Sequence, residues 1–197
     1  MKQVLFASTN PGKVNEAKAF FEKENIEMLS LRDFSWVEPV EETGETFEEN
    51  AMLKAQVYFH ELQIPCIADD GGLMVDALGG APGVHSHRFL GIENPTTEEL
   101  ALGILEKMRG IPKEKRTARL GGVTVFWDGG HLAKAESWVE GYITEEVMDT
   151  IQEGFPYRPI FMIPALGKVY SKATPEERNS FRIKNLEQLK KDILQYL

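Results

Sequence analysis

The chain has 197 residues, 22 lysines and arginines against 31 aspartates and glutamates, and a formal charge of −9. That length suits a single domain, 1–197, with room for two lobes, and a hydrophobic share of 42% is enough for a real core, yet no apolar run approaches the ~20 residues needed to span a bilayer. Excess negative charge works against nucleic-acid binding by bulk electrostatics, so any phosphate must be met by a few placed cations.

Residues 3–7 read as a short buried strand, 8–12 as a turn and 13–24 as a helix, giving strand, loop, helix. The opening MKQVLFASTN shows no basic segment, apolar stretch and small-residue cleavage site of an export signal, so a cytoplasmic location is expected. From Thr46, the positions Ala51, Ala55, Tyr58, Phe59 and Leu62 follow one face of a helix that is entered through an acidic first turn with Glu48 and Glu49. Pro65 ends that helix. Residues 64–68 read as a second strand that breaks at Asp69-Asp70-Gly71-Gly72. Residues 97–108 and 175–196 read as helices, and 123–127, a turn at 128–130 and 132–139 as a β-hairpin. With no repeat and no linker, the expectation is an α/β fold in which helices flank a central mixed β-sheet.

Three segments carry chemistry. Ser8-Thr9-Asn10-Pro11-Gly12-Lys13 lies where a strand hands over to a helix, a place where hydroxyl, amide and ammonium donors can meet an anion. A Walker A loop does not fit, because Ala7 would stand at its first glycine and Val14 at its metal-holding hydroxyl. Alone, this loop reads equally as an ordinary proline-set turn. Glu42 and Glu45 precede a helix start and Asp69-Asp70 ends a strand; hard carboxylate oxygens without a His/Cys cluster point to Mg²⁺. Successive strand residues face opposite ways, so one of the two aspartates is expected to ligate and the other to support the turn. Asp-Asp-Gly-Gly alone is also a plain turn. Lys54, four residues past Asn50 on one helical face, points toward the acidic loop and could reach a phosphate, although a solvated lysine is the commoner case. His85 and His87 could share a strand face, but the glycine-rich run before them reads as a surface loop. The single Cys66 excludes an internal disulfide and reads as a packed thiol.

Taken in order, Ser-x-Asn-x-x-Lys at 8–13, Glu-x-Gly-x-Thr-Phe-x-x-Asn-Ala at 42–51 with Lys54, Ala-Asp-Asp at 68–70 and Gly-Gly-Ala-Pro-Gly-Val at 79–84 resemble the inosine triphosphate pyrophosphatase family. The likeness extends through Ser86, Arg88, Arg116-Thr117-Ala118, Glu140-Gly141, Phe155-x-Tyr157-x-Pro159-Ile160-Phe161 and Ser180-x-Arg182. It implies a two-lobed mixed α/β fold, usually homodimeric, that hydrolyses ITP, dITP or XTP to the monophosphate and diphosphate with Mg²⁺. It further implies that Ser8, Thr9, Asn10, Lys13 and Lys54 hold the phosphates and that Glu42 and Asp70 hold the metal. Lys13 and Asp70 would be catalytic, with Asp70 activating water. Gly71, Phe155, Tyr157, Arg158, Phe181 and Arg182 would line the rest of the substrate site.

The base-reading end departs from the family pattern. Arg158 and Pro156 stand where Asp and Gly are usual, Phe181 replaces a His, Gly71 replaces a Ser, and the Glu177-Arg178-Asn179 run is about two residues short. An imidazole can donate to the 6-oxo group of a keto-purine, whereas a phenyl ring can only stack or exclude water. Two alternatives therefore stand beside the main reading: the same chemistry on another base, or a nucleotide-binding dimer without turnover. Glu42 and Asp70 together favour turnover, since a pure binder has little use for both.

Overall fold

A computed structural model describes residues 2–86, 88–178 and 180–197. The strands are β1 (Lys2–Phe6), β2 (Ile26–Ser30), β3 (Cys66–Val75), β4 (Thr117–Trp127), β5 (Leu132–Ile143), β6 (Phe161–Ile163) and β7 (Lys168–Val169). The helices are α1 (Pro11–Phe21), α2 (Phe47–Leu62), α3 (Thr97–Lys107), α4 (Pro175–Arg178) and α5 (Phe181–Tyr196). The sheet order is β2-β1-β3-β4-β5-β6-β7. β1 runs parallel to β2 and β3, while β6 is antiparallel to β5 and β7, which makes the sheet mixed as expected. No described helix is long and apolar enough to cross a membrane.

Helix starts are written locally. Asn10 caps α1, its side-chain oxygen accepting from Gly12 N–H at 2.9 Å and Lys13 N–H at 3.3 Å, with Pro11 in the first turn, so α1 begins two residues before the expected Lys13. Thr46 and Glu49 form a reciprocal capping box at the start of α2, as Thr96 and Glu99 do for α3.

Three expectations are corrected. β3 does not break at Asp69-Asp70-Gly71-Gly72 but continues to Val75. Turn propensity loses there because both carboxylates find cations, as described below. β4 likewise starts at Thr117 and runs through Gly121-Gly122, and β5 continues to Ile143. The expected single helix over 175–196 is two, with Ser180 directly before Phe181, the position where a helix favours serine. Asn179 lies outside the described residues, as does His87; His85 sits in a 3-10 turn (Gly83–His85) and not on a strand.

The chain divides into two compact units. One comprises the residues up to Asp70 together with Gly122–Ser137 and Phe181–Leu197. Its core joins Val4, Phe6 and Ile67 of the strands to Val14, Ala17 and Phe21 of α1 and Leu186, Leu189 and Ile193 of α5. The other comprises Gly71–Gly121 and Trp138–Ser180, with a core of Leu73, Val75, Leu100, Ile104, Met108, Ile143, Ile160 and Phe161. Within this second unit Arg116 is buried, and among the described residues its guanidinium donates to backbone carbonyls: Met108 and Ile111 beyond α3, and Ile143 and Thr144 at the end of β5. The positive charge suits the carbonyl end of α3. Ile104, fully buried on α3, should cost about 2–5 kcal/mol when cut to alanine. Urea unfolding of Ile104→Ala should show this as a lowered midpoint.

Candidate active site

The first unit gathers seven charged side chains from four stretches of chain. Asp69 and Asp70 come from β3, Lys13 and Glu16 from α1, Lys54 from α2 with Glu42 from the loop before it, and Arg182 from α5. Lys13 and Glu16 are three apart and Asn50 and Lys54 four apart, so each pair shares a helix face.

Adjacent strand positions face opposite ways, and the two aspartates divide their partners accordingly. Asp69 Oδ2 accepts from Arg182 Nε at 2.9 Å and Nη2 at 2.5 Å, and its Oδ1 lies 3.5 Å from Lys13 Nζ. Arg182 Nη1 also reaches Glu16 at 2.5 Å. Asp70 Oδ1 lies 3.5 Å from Lys54 Nζ, which donates to Glu42 Oε1 at 2.7 Å. Asp69 is therefore a structural anchor inside a strand, and the expectation that it supports a turn is corrected, since no turn is present there.

Burial and pairing shift these groups in different directions. Burial opposes charge on Asp69, but Arg182 and then Lys13 outweigh it and hold its pKa well below the usual range. For Asp70 burial wins over Lys54 and raises its pKa. Burial of its ammonium lowers the pKa of Lys13, against the attraction of Asp69, although 26% of its side chain stays exposed. Lys54 is also opposed by burial, yet Asp70 and Glu42 together raise its pKa. Two poorly matched groups thus stand out, a lysine short of compensation and a carboxylate with a raised proton affinity. Such perturbed groups collect at functional sites.

The phosphate loop differs from its expected form in one respect. The backbone N–H groups of Gly12 and Lys13 are taken by the Asn10 cap, and Asn10 N–H is taken by Ser8 Oγ at 3.1 Å. Side-chain donors that this loop offers an anion are the Ser8 and Thr9 hydroxyls, the Asn10 NH₂ and the Lys13 ammonium. Arg32 Nε holds the Thr9 carbonyl at 2.8 Å, and Thr9 itself is exposed.

The remaining expected site residues are dispersed. Gly71 follows Asp70 in β3. Phe155, Tyr157 and Arg158 belong to the second unit, where the Arg158 guanidinium lies 3.5 Å from the centre of the Phe155 ring and Tyr157 is packed in the core, burial raising its phenol pKa to about 12. Phe181 opens α5 with the Arg182 guanidinium over its ring. Arg182, expected at the base, is 2% exposed and committed to Asp69 and Glu16, because two carboxylates compete for one guanidinium in the interior. Glu16 and Asn50 were not among the expected site residues; helical spacing from Lys13 and Lys54 was the available signal.

A hard divalent cation fits the acidic side of this cluster. Asp70 Oδ2 is buried with no hydrogen-bond partner among the described residues, an arrangement costly unless something else completes it. Three cations against four carboxylates leave the cluster with one net negative charge. No group of three or more His, Cys, Asp or Glu side chains converges among the described residues, so the fit rests on Asp70 and Glu42 alone. The thiol of Cys66 is buried and its pKa is pushed up, which excludes it as a nucleophile.

Breaking the Asp69–Arg182 pair strands a charge in the interior. Arg182→Met should destabilise the fold by about 3–5 kcal/mol at pH 7. Because the folded Asp69 pKa lies below its unfolded value, the pairing contributes fully above about pH 4 and fades as pH falls further. Urea unfolding at pH 7 and pH 3 should show the gap between variant and wild type narrowing at the lower pH.

Comparison with known proteins places the chain among named relatives. A family model described as the Ham1 family matches residues 4–192. The chain is 43% identical over 192 residues to a dITP/XTP pyrophosphatase of Geobacillus kaustophilus, covering 96% of this chain and 93% of that one. It is 39% identical over 194 residues to a dITP/XTP pyrophosphatase of Bacillus subtilis, covering 97% and 96%. Among solved structures, a HAM1 protein from Coxiella burnetii superimposes with a TM-score of 0.86 at 32% identity, covering 99% of this chain and all of that one. The Staphylococcus aureus Ham1 protein gives 0.81 at 31% identity, covering 98% of each. A family model matched over residues 4–192, with relatives 43% and 39% identical along nearly the whole chain, carries the assignment: this chain belongs to the Ham1 family.

Proposed function

We propose that the chain is a nucleoside triphosphate pyrophosphatase that converts non-standard purine nucleotides such as dITP, ITP and XTP to the monophosphate and diphosphate. The observation that carries this reading is the pairing of two lysines, Lys13 and Lys54, with two differently tuned aspartates and Glu42 in one cluster. The activity in the names of the relatives supports it.

Lys13 and Lys54, with Ser8, Thr9 and Asn10, would hold the triphosphate. Glu42 and Asp70 would hold Mg²⁺, which when bound draws charge from the phosphate oxygens and prepares the leaving diphosphate. The raised proton affinity of Asp70 suits it to take a proton from water at its unsatisfied Oδ2. The water oxygen bonds to the α-phosphorus, the bond to the bridging oxygen breaks, and diphosphate leaves with its charge opposed by the lysines. Arg182, itself held by Glu16, keeps Asp69 ionised beside Lys13. Gly71, Phe155, Tyr157, Arg158, Phe181 and Arg182 remain the proposed lining of the rest of the substrate site.

A second reading keeps this chemistry on another base, favoured by the phenyl ring of Phe181 and by Arg158 lying over Phe155. Deleting a hydrogen-bond donor relaxes discrimination between bases. We further propose that residues 1–197 work as one domain, in a cytoplasmic homodimer that acts on free nucleotides and not on nucleic acid, in keeping with the −9 charge.

Purified protein with Mg²⁺ and a panel of ITP, XTP, dITP, dUTP, GTP and ATP should release diphosphate, fastest from the keto-purines absent from normal pools. Orthophosphate as the first product would overturn attack at the α-position. A charge contact near 4 Å in an effective dielectric of ~20 is worth about 4 kcal/mol, roughly three powers of ten in rate. Lys13→Ala and Asp70→Asn should each lose activity on that scale while circular dichroism stays that of the wild type.

A further inference from the structure

Within the first unit, α2 and the acidic loop before it are joined by a regular series of contacts. Tyr58 Oη accepts from Val40 N–H at 3.1 Å, Lys54 Nζ donates to Glu42 Oε1 at 2.7 Å, and Asn50 Oδ1 accepts from Gly44 N–H at 2.8 Å. The helix partners step by four residues and the loop partners by two, in opposite directions. Four helical residues rise ~6 Å and two residues of extended chain span about 6.6 Å, so helix and loop stay in register over all three rungs.

The helix side of this ladder is buried, with Asn50 1% and Tyr58 3% exposed. On the loop side Glu42 is exposed, but the backbone at Gly44 is tightly packed. A Cβ on Gly44 would lie 2.6 Å from Asn50 Oδ1 and 2.7 Å from Glu49 Cβ, so only glycine lets the backbone close on the amide. The outer rungs are hydrogen bonds to backbone, and the central rung carries the carboxylate of Glu42. Lys54, in the middle, also faces Asp70 at 3.5 Å, and the Asn50 side chain hydrogen-bonds the Asp70 carboxylate, so Asn50 touches both sides of the proposed ligand pair.

We infer that Asn50 and Tyr58 are positioning residues: by holding the backbone at 44 and 40, they fix the carboxylate of Glu42 relative to Asp70 and thereby set the affinity of the site for its divalent cation. This rests on the proposed reading of Glu42 and Asp70 as metal ligands. Neither residue is required to touch the nucleotide. Their loss should weaken the response to metal more than the response to substrate.

The test uses the full chain and the variants Tyr58→Phe, Gly44→Ala, Asn50→Ala and the Gly44→Ala/Asn50→Ala double. Three quantities are read: Mg²⁺ binding by calorimetry without nucleotide, the Mg²⁺ concentration for half-maximal diphosphate release from dITP, and the thermal midpoint. Half-activation should rise about tenfold in Gly44→Ala and Asn50→Ala and about threefold in Tyr58→Phe, with calorimetric affinity falling in parallel. KM for dITP at saturating Mg²⁺ should stay within about twofold. The double variant should be no worse than the poorer single, since both remove the same rung. Folded variants with lowered thermal midpoints but wild-type Mg²⁺ dependence would overturn the inference, as would full additivity in the double. If Asn50→Ala does not fold, Gly44→Ala in the loop and the isosteric Tyr58→Phe decide the matter. A wild type that binds Mg²⁺ but releases no diphosphate would sink the proposed function, and calorimetry on the variants would still decide this inference.

Discussion

Two carboxylates placed side by side in a buried strand are the constraint around which the first unit is organised. A strand presents Asp69 and Asp70 to opposite sides, and each ionised group inside a protein needs its own compensation. Arg182 from the C-terminal helix and Lys13 from α1 answer the first; Lys54 from α2 answers the second. Three helices are thereby tied to one strand by charge as well as by the apolar contacts of Val14, Ile67 and Leu186. The same requirement divides the labour between the aspartates. The one with a bidentate arginine is kept ionised and fixed, while its neighbour is left with an oxygen to spare.

Much of this was legible in the residues because local signals and chemistry coincided. Asn10-Pro11 announces a helix start, Thr46 with Glu49 announces another, and the spacing of Lys54 from Asn50 already aimed the ammonium at the acidic loop. Other features were hidden for definite physical reasons. Asp-Asp-Gly-Gly has the composition of a turn, and only tertiary partners distant in sequence keep it extended. Asp69 and Arg182 are separated by 113 positions, a distance over which no periodicity carries information. The ladder along α2 was out of reach for a related reason: two of its rungs end on backbone N–H groups of Val40 and Gly44, and such partners leave no trace in side-chain identity. The short strands β2, β6 and β7 present too few residues for alternation to be read.

The loop from Ser8 to Lys13 shows how a helix start can be closed from within. A helix start following a strand invites an anion to bare backbone N–H groups. Here Asn10 has already engaged those of Gly12 and Lys13, so in the proposed function a polyphosphate would be met by side chains whose charge is set by their carboxylate neighbours. Changing the acidic residues would accordingly alter anion affinity even where they touch no phosphate.

Arg116 in the second unit illustrates a different kind of constraint. Its guanidinium is ringed by four carbonyls, two beyond α3 and two at the end of β5, with no acid among them. A planar fork of five donors can serve several diverging oxygens at once, whereas an ammonium, with three donors on one atom, cannot span the same set. What the fold demands at this position is a shape and not a sign of charge, and an exchange between the two common basic residues, neutral on most of the surface, would here detach a helix end from the strand it is pinned to.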